Sequence, residues 1–366
     1  MSKVNLCDIC DFQGGSQPPK SQWITLQQDG YIRMLQIRDF TQPGKVKAEY
    51  VKLTNTTKCC LKDDILIARY GASLGKILTG LSGAYNVAMT KAVPNEAVIS
   101  KKFLYYFLCS DTFQNCILNV GVRAAQAGFN KEDLSNIELY CPDLSIQNKI
   151  CKILELVDVL INKSKLQLDE LDLLVKSRFI EMFGDPITNT KRWPADKVEA
   201  VCSNIYGGGT PSKSKEEYWN GDIPWISSKD MKSDMISDSQ IRITNLGLDN
   251  SSAKLVPINS VIMVIRSGIL KHTLPVAINT VPVTVNQDLK VFIPSASIHY
   301  RFLAFLFKML EKDILAGVRA VTADNIEFDT LKNRKIILPP VQLQNQFASF
   351  VTQVDKSKFV VTAKFQ

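Results

Sequence analysis

The stretch Pro142-Asp-Leu-Ser-Ile-Gln-Asn148 is answered 197 residues later by Pro339-Pro-Val-Gln-Leu-Gln-Asn345, and each opens a run with the apolar spacing of a helix. After the first, apolar residues fall at Ile146, Ile150, Ile153, Val157 and Leu160. They pass the polar Ser164 and resume at Leu168, Leu171, Leu174 or Val175, and Phe179. Alternating steps of three and four are the seam of a coiled coil. Gly184-Asp185-Pro186 is the stop signal, because glycine accepts the left-handed cap and proline cannot continue the helix. After the second stretch, Leu343, Phe347, Phe350, Val354, Ser357 and Val361 repeat the seam, including its polar place. A helix with one narrow apolar stripe has to pair with something, and its nearest equal is its own copy. The two are expected to pack antiparallel.

Moving outward from the helices, the duplication extends over nearly the whole chain. Gly30-Tyr-Ile-Arg-Met-Leu-Gln-Ile-Arg-Asp-Phe40 aligns with Gly221-Asp-Ile-Pro-Trp-Ile-Ser-Ser-Lys-Asp-Met231 at an offset of 191. Ile65-Leu-Ile-Ala-Arg-Tyr-Gly71 matches Ile262-Met-Val-Ile-Arg-Ser-Gly268 at 197. Asn86 with Pro94 matches Asn286 with Pro294 at 200, and aromatic, helix-like runs follow at Phe103 to Phe107 and Phe302 to Phe307. Gly121-Val-Arg-Ala124 recurs as Gly317-Val-Arg-Ala320. Two glycine loops, Gly14-Gly-Ser-Gln-Pro-Pro-Lys20 and Gly207-Gly-Gly-Thr-Pro-Ser-Lys213, take the same place in each half. Ordered matches with slowly drifting offsets are what an internal repeat with small loop insertions leaves behind. Short β-branched and aromatic runs between Gly, Asn and Pro predict strands, with one or two helices around the aromatic runs. The fold class is mixed α and β: two similar modules, separated by an antiparallel coiled coil of two long helices, with a pseudo-twofold internal repeat.

At 366 residues the chain exceeds a single core, which agrees with two domains. Its 45% hydrophobic and 22% charged residues are those of an ordinary globular protein. The most apolar stretch, 255 to 285, is broken by Arg266, Lys271, His272 and three prolines, so it reads as buried strands and not as a membrane span. The first residues lack the basic flank and apolar core of a signal peptide, which predicts a cytoplasmic protein. Nine scattered cysteines, an odd number, argue against a disulfide framework. Cys7-x-x-Cys10 has no second pair at metal-ligand spacing and the chain holds only His272 and His299, so no metal site is expected. The net charge of +8 is divided: residues 1 to 142 carry 16 basic and 12 acidic side chains, 191 to 340 carry 19 and 15, and 143 to 190 carry 6 and 8. Each module is thus +4 while the connector is −2, which suits two domains that each face a polyanion.

No catalytic constellation emerges. Gly71-Ala-Ser-Leu-Gly75-Lys76 resembles a phosphate loop but is one residue short, and Ile77 stands where a hydroxyl would bind magnesium. A turn after a strand is the alternative. The two Pro-Pro pairs, at 18–19 and 339–340, lack the Asn or Asp and the aromatic with which amino-methyltransferases hold a base. No dinucleotide-binding glycine turn follows a strand. His299 opens an aromatic helix, a structural place.

The Gly-Gly-Thr-Pro-Ser loop at 208 to 212, the Tyr218-Trp-Asn-Gly-Asp-Ile-Pro-Trp225 run, the Leu-Pro-Pro and Gln344 stretch, and Arg178-Phe-Ile-Glu-Met-Phe-Gly-Asp-Pro186 together resemble the specificity subunit of type I restriction-modification systems. The resemblance implies target-recognition domains at 1–142 and 185–340, long coiled-coil helices at 143–184 and 341–366, and no catalysis in this chain. Each domain would read half of a split double-stranded DNA site, and the helices would act as a ruler. About 38 helical residues span roughly 57 Å, somewhat more than one turn of B-DNA. Two methyltransferase subunits and restriction subunits are the implied partners, with S-adenosylmethionine in the methyltransferase. The second helix, ending about 26 residues in, is shorter than the first, which leaves a stretch of seam near Leu168 to Phe179 needing another cover.

For DNA contact, Arg69 with Tyr70 and Arg266 with Ser267 end strands beside glycines; arginine reads guanine through paired hydrogen bonds. Lys20, Lys213, Lys215, Lys271 and His272 are placed to meet phosphates. Ser16, Gln17, Thr210 and Ser212 lie in the glycine loops, and Arg38 and Lys229 hold matched places in the repeat. Arg123 and Arg319 sit in the identical Gly-Val-Arg-Ala motif, whose sameness points to a shared structural or backbone-binding task. Alternatives from other classes are a duplicated protein-protein scaffold and a DNA-modifying enzyme.

Overall fold

A computed structural model of the chain describes residues 3–121, 128–317, 319–320 and 324–363. The chain divides into two compact units, Met1–Asn162 and Lys163–Gln366, with the division inside the first long helix, Leu144–Phe183. Strands of the first unit are β1 (Lys3–Asn5), β2 (Cys10–Gly14), β3 (Tyr31–Leu35), β4 (Tyr50–Lys52), β5 (Cys59–Cys60), β6 (Ile65–Ala68), β7 (Ile77–Leu78), β8 (Gly83–Tyr85), β9 (Met89–Pro94) and β10 (Glu138–Tyr140). Those of the second are β11 (Ala195–Lys197), β12 (Cys202–Gly207), β13 (Trp219–Ile226), β14 (Met235–Ile236), β15 (Arg242–Ile243), β16 (Val261–Val264), β17 (Val276–Asn279), β18 (Thr284–Val285), β19 (Leu289–Pro294), β20 (Arg319–Ala320), β21 (Asp324–Asn325) and β22 (Lys335–Ile337).

The duplication holds at the level of strand pairing. The first unit has a sheet ordered β2-β9-β6-β7, the second β12-β19-β16-β17 with β14 added at the edge. Parallel pairing of β3 with β8 sets Met34 against Ala84, and that of β13 with β18 sets Trp225 against Thr284. These are the offsets of 191 and 200 seen in the sequence. β1 pairs antiparallel with β10, and β11 with β22. The central strands β6 and β16, Ile-Leu-Ile-Ala and Val-Ile-Met-Val, are buried at every position because the sheet is covered on both faces. Residues 71 to 76, the phosphate-loop lookalike, form a turn between β6 and β7: Gly75 N–H donates to the Ala68 carbonyl, 2.9 Å, and Lys76 N–H to that of Ser73, 3.0 Å.

The repeated glutamines explain the motif that opens each long helix. The fully buried Gln147 accepts from Ser100 N–H at 2.8 Å and donates to the carbonyls of Val98 and Pro142 at 2.8 and 2.7 Å. Gln344, also fully buried, accepts from His299 N–H at 2.8 Å and donates to Ser297 and Pro339 at 3.2 and 2.7 Å. One side chain thus fixes the start of a long helix against the start of the aromatic helix before it. An ion pair adds to the same joint in each unit, Lys102 with Glu155 and Arg301 with Asp355.

Within the second unit the second long helix, Val341–Ala363, runs antiparallel to the end of the first. Phe347 meets Phe179 edge-on at 5.5 Å between ring centroids, and Lys358 is ion-paired with Asp172 farther along. Phe183, Phe302 and Phe305 complete this aromatic cluster. Of the alternatives 174 and 175, Val175 is buried and Leu174 exposed. The expectation of an uncovered seam near Leu168 to Phe179 is corrected: in an antiparallel pair the start of the second helix lies against the end of the first, so Val175 and Phe179 are buried and Leu171 packs on the core. It is Ile153, Val157 and Leu160 that are exposed, while Ile146, Ile150 and Leu168 are half-buried. On the second helix Phe347 and Val354 are buried, Leu343 and Phe350 pack on the core, and Val361 is half-buried.

Candidate nucleic-acid interface

Both glycine loops lie on a tight turn that opens with asparagine, and the fit explains their composition. A Cβ on Gly15 would meet the Asn86 carbonyl oxygen at 2.1 Å, and one on Gly208 the Val285 carbonyl oxygen at 2.0 Å. Only glycine permits that approach. Ser16 N–H donates to the Tyr85 carbonyl at 3.0 Å, and Gly209 N–H to that of Val285 at 3.0 Å. The asparagines shape the turns, their Oδ1 atoms accepting from Ala88 N–H at 3.2 Å and Asp288 N–H at 3.1 Å. Tryptophans pin the loops from below: Trp23 Nε1–H donates to the Pro18 carbonyl, Trp225 to Gly209 and Trp219 to Ser212, all within 2.9–3.1 Å.

Around the first loop the basic candidates gather on an acid. Glu49 accepts from Lys20 Nζ at 2.6 Å and from Arg38 Nη2 at 2.9 Å, and Gln36 Nε2 adds a third bond at 3.0 Å. Lys20 also lies 3.7 Å from the Trp23 ring centroid. The Lys20 hydrogen bond holds the Glu49 carboxyl below its ordinary range. Arg69, at the end of β6, donates its backbone N–H to the Ala88 carbonyl, 2.8 Å, lies over the exposed Tyr70 ring and reaches the Phe129 carbonyl at 3.4 Å. Tyr70 forms a bridge with Gly128, where any Cβ would strike its ring at 2.5 Å. Ser16 and Arg69 therefore flank one turn, Lys20 and Arg38 share Glu49, and Gln17 is exposed on the loop between. Arg123 lies outside the described residues.

In the second unit the turn Val285–Asp288 is the hub. Thr210 donates its hydroxyl to Gln287. Arg266, matched to Arg69 in the sequence, stands by strand register where Tyr70 does, and is ion-paired with Asp288 through Nε at 2.7 Å and Nη2 at 2.6 Å. Its backbone also bridges Asn325 of β21, which pairs with Arg319 of β20, so the backbone of Arg319 reaches the same corner. Ser267 caps the short helical turn Gly268–Lys271, at whose end the exposed Lys271 and His272 stand. Ser212, Lys213 and Lys215 are exposed along the loop, Lys215 bonding the Tyr218 hydroxyl at 2.8 Å. Lys229 is exposed in the Ser227–Asp230 turn and is not drawn into the hub.

Sequence reasoning passed over Glu49, Gln36, Asp288 and Gln287. A search for cations discounts acids, although the place of Asp288, two residues after the repeated Asn286, was available as a signal. It also passed over Lys290, which lies 4.3 Å from the Phe328 ring centroid beside Gly207. Burial, with Lys332 nearby, lowers the Lys290 ammonium from its ordinary value. No cluster of three or more His, Cys, Asp or Glu residues that could hold a metal ion occurs among the described residues. Burial pushes the Cys10 and Cys202 thiols up to about 12. Among the described residues no helix is long and apolar enough to cross a membrane.

Comparison with known proteins places this doubled arrangement. The model of the type I restriction-modification DNA specificity domain matches twice, over residues 1–171 and 196–364. The chain belongs to this specificity family. It is 31% identical over 268 residues to the specificity subunit of an Escherichia coli type I restriction enzyme, covering 69% of this chain and 63% of that protein. A second specificity subunit, from Methanocaldococcus jannaschii, is 32% identical over 173 residues, 45% of this chain and 38% of its own length. The chain thus spans less than two thirds of the length of these relatives. Among solved structures, a type I restriction-modification system S subunit from M. genitalium has a TM-score of 0.57 at 15% identity, covering 99% of this chain and 91% of its own. A chain from a study of type I system assembly and conformational transition has the same score at 17% identity, covering 99% and 93%. These two likenesses bear on the fold alone, and they agree with a mixed α and β chain in which each module is followed by a long helix.

Proposed function

We propose that this specificity-family chain is the DNA-reading subunit of a type I restriction-modification complex and that it carries out no chemistry itself. Residues 1–142 and 185–340 act as target-recognition domains, each reading half of a split duplex site, and the helical segments 143–184 and 341–366 set the spacer. The observation that carries this reading is that one loop-on-turn arrangement, with an arginine ending the neighbouring strand, is built twice with unlike side chains. Asn86-Val87-Ala88 in one unit stands where Asn286-Gln287-Asp288 stands in the other. A common frame with different exposed groups is what two unlike half-sites require. Two methyltransferase subunits holding S-adenosylmethionine, and restriction subunits, complete the complex under this reading.

The test is binding of the full chain, with and without a methyltransferase subunit, to a duplex library. The expected result is a bipartite site whose affinity falls linearly with salt on a log-log scale, each phosphate contact contributing about −0.9 to the slope. Moving the half-sites apart by a few base pairs should abolish binding. Equal binding at any spacer removes the ruler, and a pull-down that recovers protein partners with no dependence on DNA favours a scaffold.

A further inference from the structure

The arginines that follow β6 and β16 lie one register place apart and are held differently. Asp288 takes the Nε side of the Arg266 guanidinium, with contacts of 2.7 and 2.6 Å, and is itself fixed: Asn286 Nδ2 donates to its second oxygen at 3.2 Å, and Ile265 N–H to its backbone carbonyl at 2.9 Å. Side-on pairing turns the edge that carries Nη1 away from the carboxylate, and the Arg266 side chain is half exposed. That edge offers two parallel N–H groups, which match the O6 and N7 acceptors of guanine. In the first unit the place of Asp288 is taken by Ala88, which has no carboxylate to offer Arg69.

We propose that Asp288 is a positioning residue which holds Arg266 so that its Nη1 edge, turned away from the carboxylate, reads one guanine in the half-site of the second unit. The proposal rests on the DNA-reading function above. The fixed fork matters because a guanidinium that needs no ordering on binding keeps its geometric selectivity.

The experiment is selection from a randomised duplex library by the full chain and by Arg266→Lys, Asp288→Asn and Asp288→Ala, with folding checked by circular dichroism and salt dependence measured on one non-selected duplex. Wild type should show a guanine preference at one position of one half-site. Arg266→Lys and Asp288→Ala should reduce that preference about 5- to 160-fold, leave every other position unchanged, and leave the salt slope on non-selected DNA unchanged. Should Asp288→Ala fail to fold, Asp288→Asn decides in its place, because it keeps the volume and removes the charge that holds the guanidinium; the same position-specific loss is expected, and an unchanged preference overturns the positioning role. Unchanged preference at all positions in a selective protein overturns the proposal while the DNA-reading function stands, and so does a uniform loss across all positions. A wild-type chain that selects no sequence, even with a methyltransferase subunit present, removes the underlying function and the proposal with it.

Discussion

Replacing Gln344 tests whether the joint between each module and its helix is as stiff as the geometry implies. Its amide makes three hydrogen bonds in full burial, accepting from His299 N–H and donating to the Pro339 and Ser297 carbonyls. Gln344→Leu keeps the volume and removes all three partners at once. An unpaired buried group costs about 1–3 kcal/mol, most for the N–H, so the loss should total roughly 2–5 kcal/mol, a large part of the ~5–15 kcal/mol of a domain. Gln344→Glu keeps the acceptor for His299, but once ionised it faces two carbonyls with nothing to donate. Its folded pKa should therefore lie above the unfolded one, so the variant is most stable below the ordinary glutamate value and loses stability as pH rises through that range. Two units need not unfold in one step, so the assay is urea denaturation combined with amide hydrogen exchange at His299 and along Tyr300–Met309. A Gln344→Leu protein within about 0.5 kcal/mol of wild type, with unchanged exchange at His299, refutes the reasoning.

Gly208→Ala should destabilise the second unit by roughly 1–3 kcal/mol, because its Cβ would fall 2.0 Å from a backbone oxygen, whereas Gly268→Ala, with nothing within 4 Å, should be neutral in the same denaturation series. His299 caps the aromatic helix by accepting from Arg301 N–H, and burial, then the Arg301 charge, lowers its pKa. A depressed histidine contributes stability above its unfolded value of about 6.5 that is lost as pH falls below it. His299→Ser, which copies the Ser100 cap of the first unit, should flatten that dependence in denaturation midpoints measured between about pH 5 and 8.

Much of the frame was legible because its constraints are periodic or steric. The seam spacing fixed two long helices, and the offsets of 191 and 200 reappear as strand registers, whereas the match of Ile65 to Ile262 is corrected by one residue: Ile65 faces Ala92 as Val261 faces Phe292, an offset of 196. Glycine loops were visible as loops, yet what they lie on was not, since Asn86 and Asn286 are 71 and 78 residues farther along the chain than Gly15 and Gly208, which they meet. The helix joint was seen as a repeated Pro and Gln motif without its purpose, which is a set of hydrogen bonds to backbone atoms that no pattern of residue types displays. Part of the seam failed as a rule about burial: Ile153, Val157 and Leu160 keep the period and are exposed, because period says which face is apolar and not what covers it.

The candidate site was the least legible part for a reason the repeat itself supplies. Positions that touch buried backbone are alike in both units: Gly15 and Gly208, Asn86 and Asn286, Gln147 and Gln344. Positions that face outward differ: Val87 and Gln287, Ala88 and Asp288, Tyr70 and Arg266. A duplicated chain keeps what its own atoms enforce, since each loss there costs kilocalories whatever the ligand. It is free to vary where only a ligand would notice. The two halves therefore sort frame from variable surface without reference to any other protein. By that sorting Arg69 and Arg266, one register place apart, belong to the outward set, and under the proposed function their holders, Tyr70 and Phe129 in one unit and Asp288 in the other, set what each can read.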